Sequence, residues 1–312
     1  MEIVLDRINK SFGEKHVLKD LSFTAKSGGA FGLLGRNGSG KTTTIRVIMR
    51  MFFQDSGHVR INGRPNSEFK GKIGYLPEER GLYPKRIVSE QMIYIGELRG
   101  LKYAEAKKRS LYLLEKFQAE EYYKKRLDTL SKGNQQKIQL AIAMINDPDI
   151  VILDEPFSGL DPVNAQLLEE AVREAVKGGK TVLFSSHQMN QVEAFCQDIC
   201  IIDDGKTILD GNLKAIKRSY PRNKIRVSVY ENVAQRFLEL TEKMSDVVAS
   251  ASKEYIGNEC TGVLVTLKTE KDKSALLNHI ASSQIPVDGF SVVEPSLTDI
   301  FIEKVGKSVG NV

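Results

Sequence analysis

The stretch Gly35-Arg36-Asn37-Gly38-Ser39-Gly40-Lys41-Thr42 constrains this chain more than any other. It fits G-x-x-x-x-G-K-[ST], a loop that cradles a phosphate chain. Glycines let backbone N–H groups turn toward one point, where a side chain would block the anion's approach. Lys41 is spaced to reach the β- and γ-phosphates of a nucleotide, and Thr42 to place its hydroxyl on Mg²⁺. The whole run Gly35, Arg36, Asn37, Gly38, Ser39, Gly40, Lys41, Thr42 and Thr43 is therefore expected to hold the phosphates of a nucleotide. Before it, Ala30-Phe31-Gly32-Leu33-Leu34 is short and apolar, like a parallel strand buried on both faces. After it, residues 43–48 read as the first turns of a helix whose positive end faces the phosphates. Strand, glycine loop and helix in this order predict a P-loop α/β fold.

A second constellation points to the same chemistry. Ile150-Val151-Ile152-Leu153-Asp154-Glu155 is an apolar run ending in two carboxylates. In a doubly wound sheet the C-terminal strand ends form the ligand crevice, so both acids are expected beside the phosphates. Asp154 is placed to hold Mg²⁺, and Glu155 to polarise an attacking water as general base. Further back, Leu130-Ser131-Lys132-Gly133-Asn134 precedes a strongly helix-forming segment. Ser131 suits the N-cap, and Gly133 lets a phosphate approach the backbone. Taken alone, that segment is only a capped helix.

Together these residues resemble the nucleotide-binding subunits of ATP-binding cassette (ABC) transporters over roughly residues 1–220. Gly35 to Thr42 matches the Walker A motif, and Leu130 to Asn134 the ABC signature. Asp154-Glu155 matches Walker B with its catalytic glutamate, and Ser158-Gly159-Leu160-Asp161 the D-loop. His187, in Ser185-Ser186-His187, is similar to the switch histidine, and Phe12 stands where an aromatic residue stacks on adenine. The resemblance implies a mainly parallel sheet with an antiparallel β subdomain, and a helical subdomain over about 87–146 carrying the signature. It also implies a homodimer that sandwiches two ATP molecules. Each site would take Walker A, Asp154, Glu155 and His187 from one copy, and Ser131 and Gly133 from the other, with Asp161 linking the two sites. Two positions depart from the pattern. Glu78 follows Ile73-Gly74-Tyr75-Leu76-Pro77 where the family usually has Gln, and an ionised glutamate only accepts hydrogen bonds. Glu78 can still approach Mg²⁺, but it adds negative charge near the phosphates. Lys132 and Asn134 stand where Gly and Gln are commonest in the signature.

At 312 residues the chain has room for two domains. Its 41% hydrophobic and 27% charged residues read as globular, and a net charge of +5 is mild for this length. The basic clusters at Lys107-Lys108-Arg109 and Lys124-Lys125-Arg126 read as solvated helix faces, so no nucleic-acid partner is expected. No apolar stretch approaches the ~20 residues that span a bilayer, and the start lacks a signal-peptide pattern. The expected location is the cytoplasm, peripheral on the inner face of the membrane through a separate multi-span permease. Three cysteines make no disulfide framework, and Cys196 and Cys200 have no further ligands nearby in sequence to make a metal site.

Along the chain, residues 2–9 and 17–25 alternate as strands, with residues 12–15 turning between them. Residues 87–146 are mostly helical, as Ile93, Ile95 and Leu98, then Leu111, Leu114 and Phe117, indicate. Strands recur at 151–154, 182–185 and 199–202 around a helix over 163–177, which means a parallel sheet. The pattern breaks near Ser219-Tyr220-Pro221-Arg222, and a linker is placed there. This gives an ATPase domain over 1–218 and a small α+β accessory domain over 222–312. Within the latter, strands at 225–229, 246–252, 263–268 and 287–293 with helices at 232–244 and 271–283 give βαββαβ, a ferredoxin-like layer. A closing helix is expected over 297–305. No chemistry is visible there, and a docking or dimer-stabilising module is the expected role.

The leading expectation is an ATP-hydrolysing subunit that powers export through the permease, with residues 79–95, including Arg80, Gly81, Leu82, Tyr83 and Pro84, receiving it. A soluble ABC ATPase acting on nucleic acid or ribosomes is the alternative. The single P-loop and the lack of sustained heptads weigh against it. A binding module with dead catalysis is opposed by the intact Lys41, Asp154, Glu155 and His187.

Overall fold

The computed structural model describes residues 1–26, 28–79, 81–255 and 260–309. The chain divides into two compact units, Met1–Leu213 with the residues from Phe301 onward, and Lys214–Ile300. The division falls ahead of the linker placed near Pro221, because the short helix before that proline groups with the second unit.

The first unit opens with β1 (Ile3–Phe12) and β2 (Lys15–Ala25), paired antiparallel across Gly13 and Glu14. Alternation puts Ile3 and Leu5 inside, and an irregularity in the pairing between Leu5 and Ile8, with Arg7 at φ +48°, brings Ile8 inside as well. β3 (Ala30–Leu34) is buried at every residue, and the glycine loop after it leads into α1 (Lys41–Ile48). β4 (Ser56–Ile61) and β5 (Arg64–Pro65) extend the first sheet, in the order β2-β1-β4-β5. Then come β6 (Ile73–Leu76) and three helices, α2 (Val88–Leu98), α3 (Tyr103–Lys116) and α4 (Lys132–Ala143). The segment at 124–126 is a turn rather than a helix face. β7 (Ile150–Asp154), α5 (Pro162–Lys177), β8 (Thr181–Ser186), α6 (Met189–Phe195), β9 (Cys196–Asp203) and β10 (Lys206–Asn212) complete the second sheet. Its order is β10-β9-β3-β8-β7-β6, parallel throughout except for the antiparallel edge strand β10.

One core joins the two sheets. Leu5, Phe23 and Val59 from the antiparallel sheet meet Ile45 and Ile48 of α1 and Phe31, Ile152 and Leu183 from the parallel one. β8 lies between β3 and β7, so the glycine loop and the C-terminal ends of β7 and β8 share one end of the sheet. The turn at Gly205 fixes the loop to β2. Its N–H donates to the Ser39 carbonyl at 3.0 Å, and its carbonyl accepts from Lys19 N–H at 2.9 Å. Gly205 has φ +75°, and a Cβ there would lie 2.1 Å from the Val17 carbonyl oxygen.

The second unit begins at α7 (Leu213–Arg218), from Lys214 on. It continues through β11 (Lys224–Tyr230), α8 (Glu231–Glu242), β12 (Val248–Tyr255), β13 (Cys260–Leu267), α9 (Lys273–Ser282) and β14 (Val287–Val293). The strands order β12-β13-β11-β14, every pair antiparallel, which is the βαββαβ layer. Ile225, Val227, Val229 and Val263 on one sheet face pack against Phe237 of α8 and Leu276 of α9. The last helix, α10 (Leu297–Val309), runs past the division at Ile300.

Gly205→Ala is expected to lower stability by about 1–3 kcal/mol, because it combines an unfavourable φ with a backbone clash. Urea unfolding measures this, and an unchanged midpoint would show that the turn yields freely.

Candidate nucleotide site

A cavity of about 550 Å³ opens over the glycine loop. Phe12, Lys15, Val17, Asn37, Gly38, Gly40, Lys41, Thr42, Thr43, Glu78 and Glu155 line it. Gly35, Arg36 and Ser39 shape the loop from outside that lining. A Cβ at Gly35 would sit 2.3 Å from Ser39 Oγ and 2.4 Å from the Ile202 carbonyl, so only glycine lets the loop leave β3 here. Gly40 caps α1 at φ +110°, with no side chain over the helix N-terminus.

Lys41 is 6% exposed, and its ammonium folds back onto the Gly35 and Arg36 carbonyls at 2.9 and 3.3 Å. Its buried counter-charge is Glu155, 5% exposed, with Oε1 3.4 Å away. Glu155 adopts φ +48°, and its N–H donates to both the carbonyl and the hydroxyl of Ser185 at 3.1 Å. Its second oxygen lies 2.9 Å from His187 Nδ1. Strands β7 and β8 thus end in one connected group.

Asp154 is fully buried, and its Oδ1 accepts the Ser185 hydroxyl. Burial holds its carboxyl above the usual range, against the opposing pull of the Ser185 and Thr42 hydroxyls. Asp154 Oδ2, Glu155 Oε1 and Ser39 Oγ are buried with no hydrogen-bond partner. Burying a polar atom without a hydrogen bond is costly; Glu155 Oε1 keeps the Lys41 ammonium as its ion-pair partner, which leaves Asp154 Oδ2 and Ser39 Oγ uncompensated. The fully buried carboxylate oxygen with the Thr42 hydroxyl facing its carboxylate fits a hard divalent cation, which takes oxygen ligands. The loop N–H groups at the start of α1 fit phosphate oxygens. Burial, then the Asp154 and Glu155 charges, raise the carboxyl pKa of Glu78, so the added acid is disfavoured as an anion there.

Ser131, Gly133 and Asp161 stand apart from this lining. Ser131 caps α4 by accepting from Asn134 N–H, and Asp161 caps α5 by accepting from Asn164 N–H. The two helix starts touch: a Cβ at Gly133 would lie 2.7 Å from Asn164 Nδ2. The signature departure at Asn134 has a structural use, since its amide donates to the Tyr122 hydroxyl at 2.7 Å. Gln136 donates to the Pro156 carbonyl at 3.1 Å, tying α4 to the segment after Glu155.

Sequence reasoning missed Lys15 and Val17, which reach the cavity only through strand pairing. It also missed Ser185, whose one hydroxyl serves both Asp154 and Glu155. The signal available was its place at the end of a buried strand, one register step from the acids (Asp154 pairs with Ser185).

A mainly parallel sheet with a glycine loop on its central strand and two acids at the end of a nearby strand defines a P-loop ATPase. Comparison with known proteins narrows this. The ABC transporter family matches residues 18–158, and the family of the ATP-binding protein DrrA1-3-like, C-terminal domain matches residues 211–305. The uncharacterized ABC transporter ATP-binding protein YhaQ of Bacillus subtilis is 42% identical, over 97% of this chain and 98% of that one. The linearmycin resistance ATP-binding protein LnrL of the same organism is 31% identical, over 97% and 98%. Among solved structures, a dimeric bacterial ABC transporter cassette is 25% identical with a TM-score of 0.62, covering 68% of this chain and 98% of that one. The chain belongs to the ABC transporter ATP-binding protein family, and it is an ATP-binding, ATP-hydrolysing subunit of that kind.

Ser185→Ala is expected to cost about 1–3 kcal/mol in stability, because it leaves buried polar groups unpaired. Turnover should fall at least tenfold if the acids lose their alignment. Thermal melting with an ATPase assay checks both; full activity would remove Ser185 from the site.

Proposed function

We propose that this protein works as a dimer beneath a separate membrane permease, hydrolysing Mg²⁺-ATP to drive export. The observation that carries the reading is that Lys41, Glu155 and His187 form one connected buried group beside Asp154 at the glycine loop. Gly35, Arg36, Asn37, Gly38, Ser39, Gly40 and Thr43 wrap the triphosphate, while Phe12 receives the adenine. Thr42, Asp154 and Glu78 are the residues that would hold Mg²⁺, which would supply positive charge against the phosphates. Glu155 accepts the proton of the attacking water, and His187 steadies Glu155 and the γ-phosphate side.

The cavity of one copy lacks Ser131 and Gly133, which supports their delivery by a second copy, with Asp161 beside them at the junction. Both halves would then touch the γ-phosphate, so closure lasts only until hydrolysis. Dimeric cassettes among the structural relatives agree. The names of relatives, a Nod factor export protein among them, favour export over a nucleic-acid or ribosomal role.

A groove of about 390 Å³ on the helical segment, lined by Tyr83, Arg86, Glu90, Gln91 and Tyr94, is the surface for the permease. Tyr83 and Tyr94 are 60% and 51% exposed. Buried Gln91 braces the groove, accepting from Tyr83 N–H at 2.8 Å and donating to the Arg86 carbonyl at 3.1 Å. Arg80, also expected there, lies outside the described residues. No helix among the described residues is long and apolar enough to cross a membrane, so the reading places the protein at the inner face through the permease. The second unit is read as a docking or dimer-stabilising domain, and the ATPase domain as residues 1–218.

Glu155→Gln should keep ATP binding, lower turnover at least a hundredfold, and accumulate an ATP-dependent dimer in size-exclusion chromatography. Full turnover would remove Glu155 as the base. Glu78→Gln should retain ATPase activity but change its stimulation by the reconstituted permease; identical stimulation would deny Glu78 a coupling role.

A further inference from the structure

Helix α4, which carries Ser131 and Gly133 at its start, is held differently at its two ends. At the C-terminal end two arginines take the last carbonyls. Arg99 donates to the Ile142 and Ala143 carbonyls at 2.8 and 3.3 Å, and Arg109 to the Met144 and Ile145 carbonyls at 3.1 Å each. Cations placed there also meet the negative end of the helix. The N-terminal end is held by side chains of its own first turn. Gln135 donates to the Leu127 and Leu130 carbonyls at 3.1 and 2.9 Å, which fixes the chain leading into the helix. Asn134 makes two bonds at once. Its backbone N–H donates to Ser131 Oγ at 3.3 Å, and its side-chain amide donates to the Tyr122 hydroxyl at 2.7 Å.

Tyr122 is a firm partner. It closes a single 3-10 turn, Glu120–Tyr122, and its carbonyl accepts Lys125 N–H at 2.9 Å. The Lys125 ammonium lies 4.9 Å from the centre of the Tyr122 ring and pairs with Glu121 at 3.0 Å. The turn is fastened in its own right to the start of α2. Val88 and Ser89, whose N–H groups have no acceptor within that helix, donate to the Lys125 and Tyr123 carbonyls at 3.0 Å each, and Ile87 bridges Arg126. Main-chain bonds therefore set the place of the Tyr122 side chain.

We propose that Tyr122 is a positioning residue for ATP hydrolysis: through Asn134 it fixes the Ser131 hydroxyl that one copy presents to the γ-phosphate held by the other. The inference rests on the two-copy site proposed above. A hydroxyl has one donor and two acceptor positions. With the Asn134 N–H on its oxygen, Ser131 keeps its own proton for a phosphate oxygen. Ser131 is exposed, so its place is set by these hydrogen bonds more than by packing. The direction of its oxygen follows the first turn of α4, and Asn134 ties that turn to Tyr122. An asparagine that departs from the commonest family residue is thereby matched to a tyrosine twelve positions earlier. The contact bears on closure of the second copy and on turnover, and leaves the nucleotide affinity of a single copy alone.

The test uses the full chain, with Glu155→Gln as the parent for dimerisation and Glu155 intact for turnover. Calorimetry with Mg²⁺-ADP, which lacks the γ-phosphate, reads the site of one copy. Sedimentation with Mg²⁺-ATP reads the dimer constant. Tyr122→Phe removes only the hydroxyl, and Asn134→Ala keeps the N–H that serves Ser131. Each should leave the ADP Kd unchanged, weaken the ATP dimer about tenfold (about threefold at each of its two sites) and lower kcat about threefold or more. The double variant should be no worse than either single one, because both changes remove the same bond. Additive losses overturn the proposal, and so does an unchanged dimer constant or kcat. An ADP affinity that falls together with the dimer constant marks a purely structural loss and overturns it too. Ser131→Arg separates this inference from the reading beneath it, and should abolish the ATP dimer. If the dimer persists, the two-copy site fails and takes the inference with it. If the dimer is lost while Tyr122→Phe dimerises as tightly as its parent, only the role of Tyr122 is refuted.

Discussion

The buried ammonium of Lys41 sets the terms for the rest of the site. It lies on two loop carbonyls, with the Glu155 carboxylate as counter-charge. Breaking a buried pair by removing one partner typically costs about 3–5 kcal/mol, so neither charge is disposable. A triphosphate entering the loop brings more negative charge than Glu155 supplies. It can take over the lysine, and Glu155 would then be left to His187, free to serve as the general base proposed above.

That arrangement needs rigid supports, and most lie in the backbone. Gly205 pins the loop to β2, and Ser185 holds both acids from the neighbouring strand. Glu155 sits at a positive φ that the Ser185 bonds help to hold. The buried Oδ2 of Asp154, with no hydrogen-bond partner, is a remaining cost, and with the Thr42 hydroxyl beside that carboxylate it suits a cation. A site organised this way favours bound Mg²⁺-nucleotide, which offers partners to buried groups the chain leaves unsatisfied.

Much of this was legible in the sequence because the chemistry lies at strand ends. The apolar runs before Gly35, Asp154 and His187 announced buried parallel strands, and parallel strands deliver their C-terminal residues to one crevice. Periodicity likewise marked out the βαββαβ layer, from Ile225 to Val293. What escaped depends on pairing between distant segments. Lys15 looks like a turn residue and Val17 like an ordinary strand residue until β2 is laid beside the loop. Ser185 reads as one more residue of a buried strand until register sets it opposite Asp154. Asn134 looked like a weakened signature, yet it uses its amide to anchor α4 to Tyr122. The break between compact units lies at Leu213 rather than Pro221, because contacts and not chain-breaking residues define it.

If Lys41 exchanges its loop carbonyls and Glu155 for the phosphates of ATP, the exchange is read by calorimetric titration of ATP, with Mg²⁺ present, into wild-type protein and Lys41→Ala. The variant should bind at least tenfold more weakly, since a desolvated charge-assisted contact is removed. Equal affinity in the two proteins would deny the exchange.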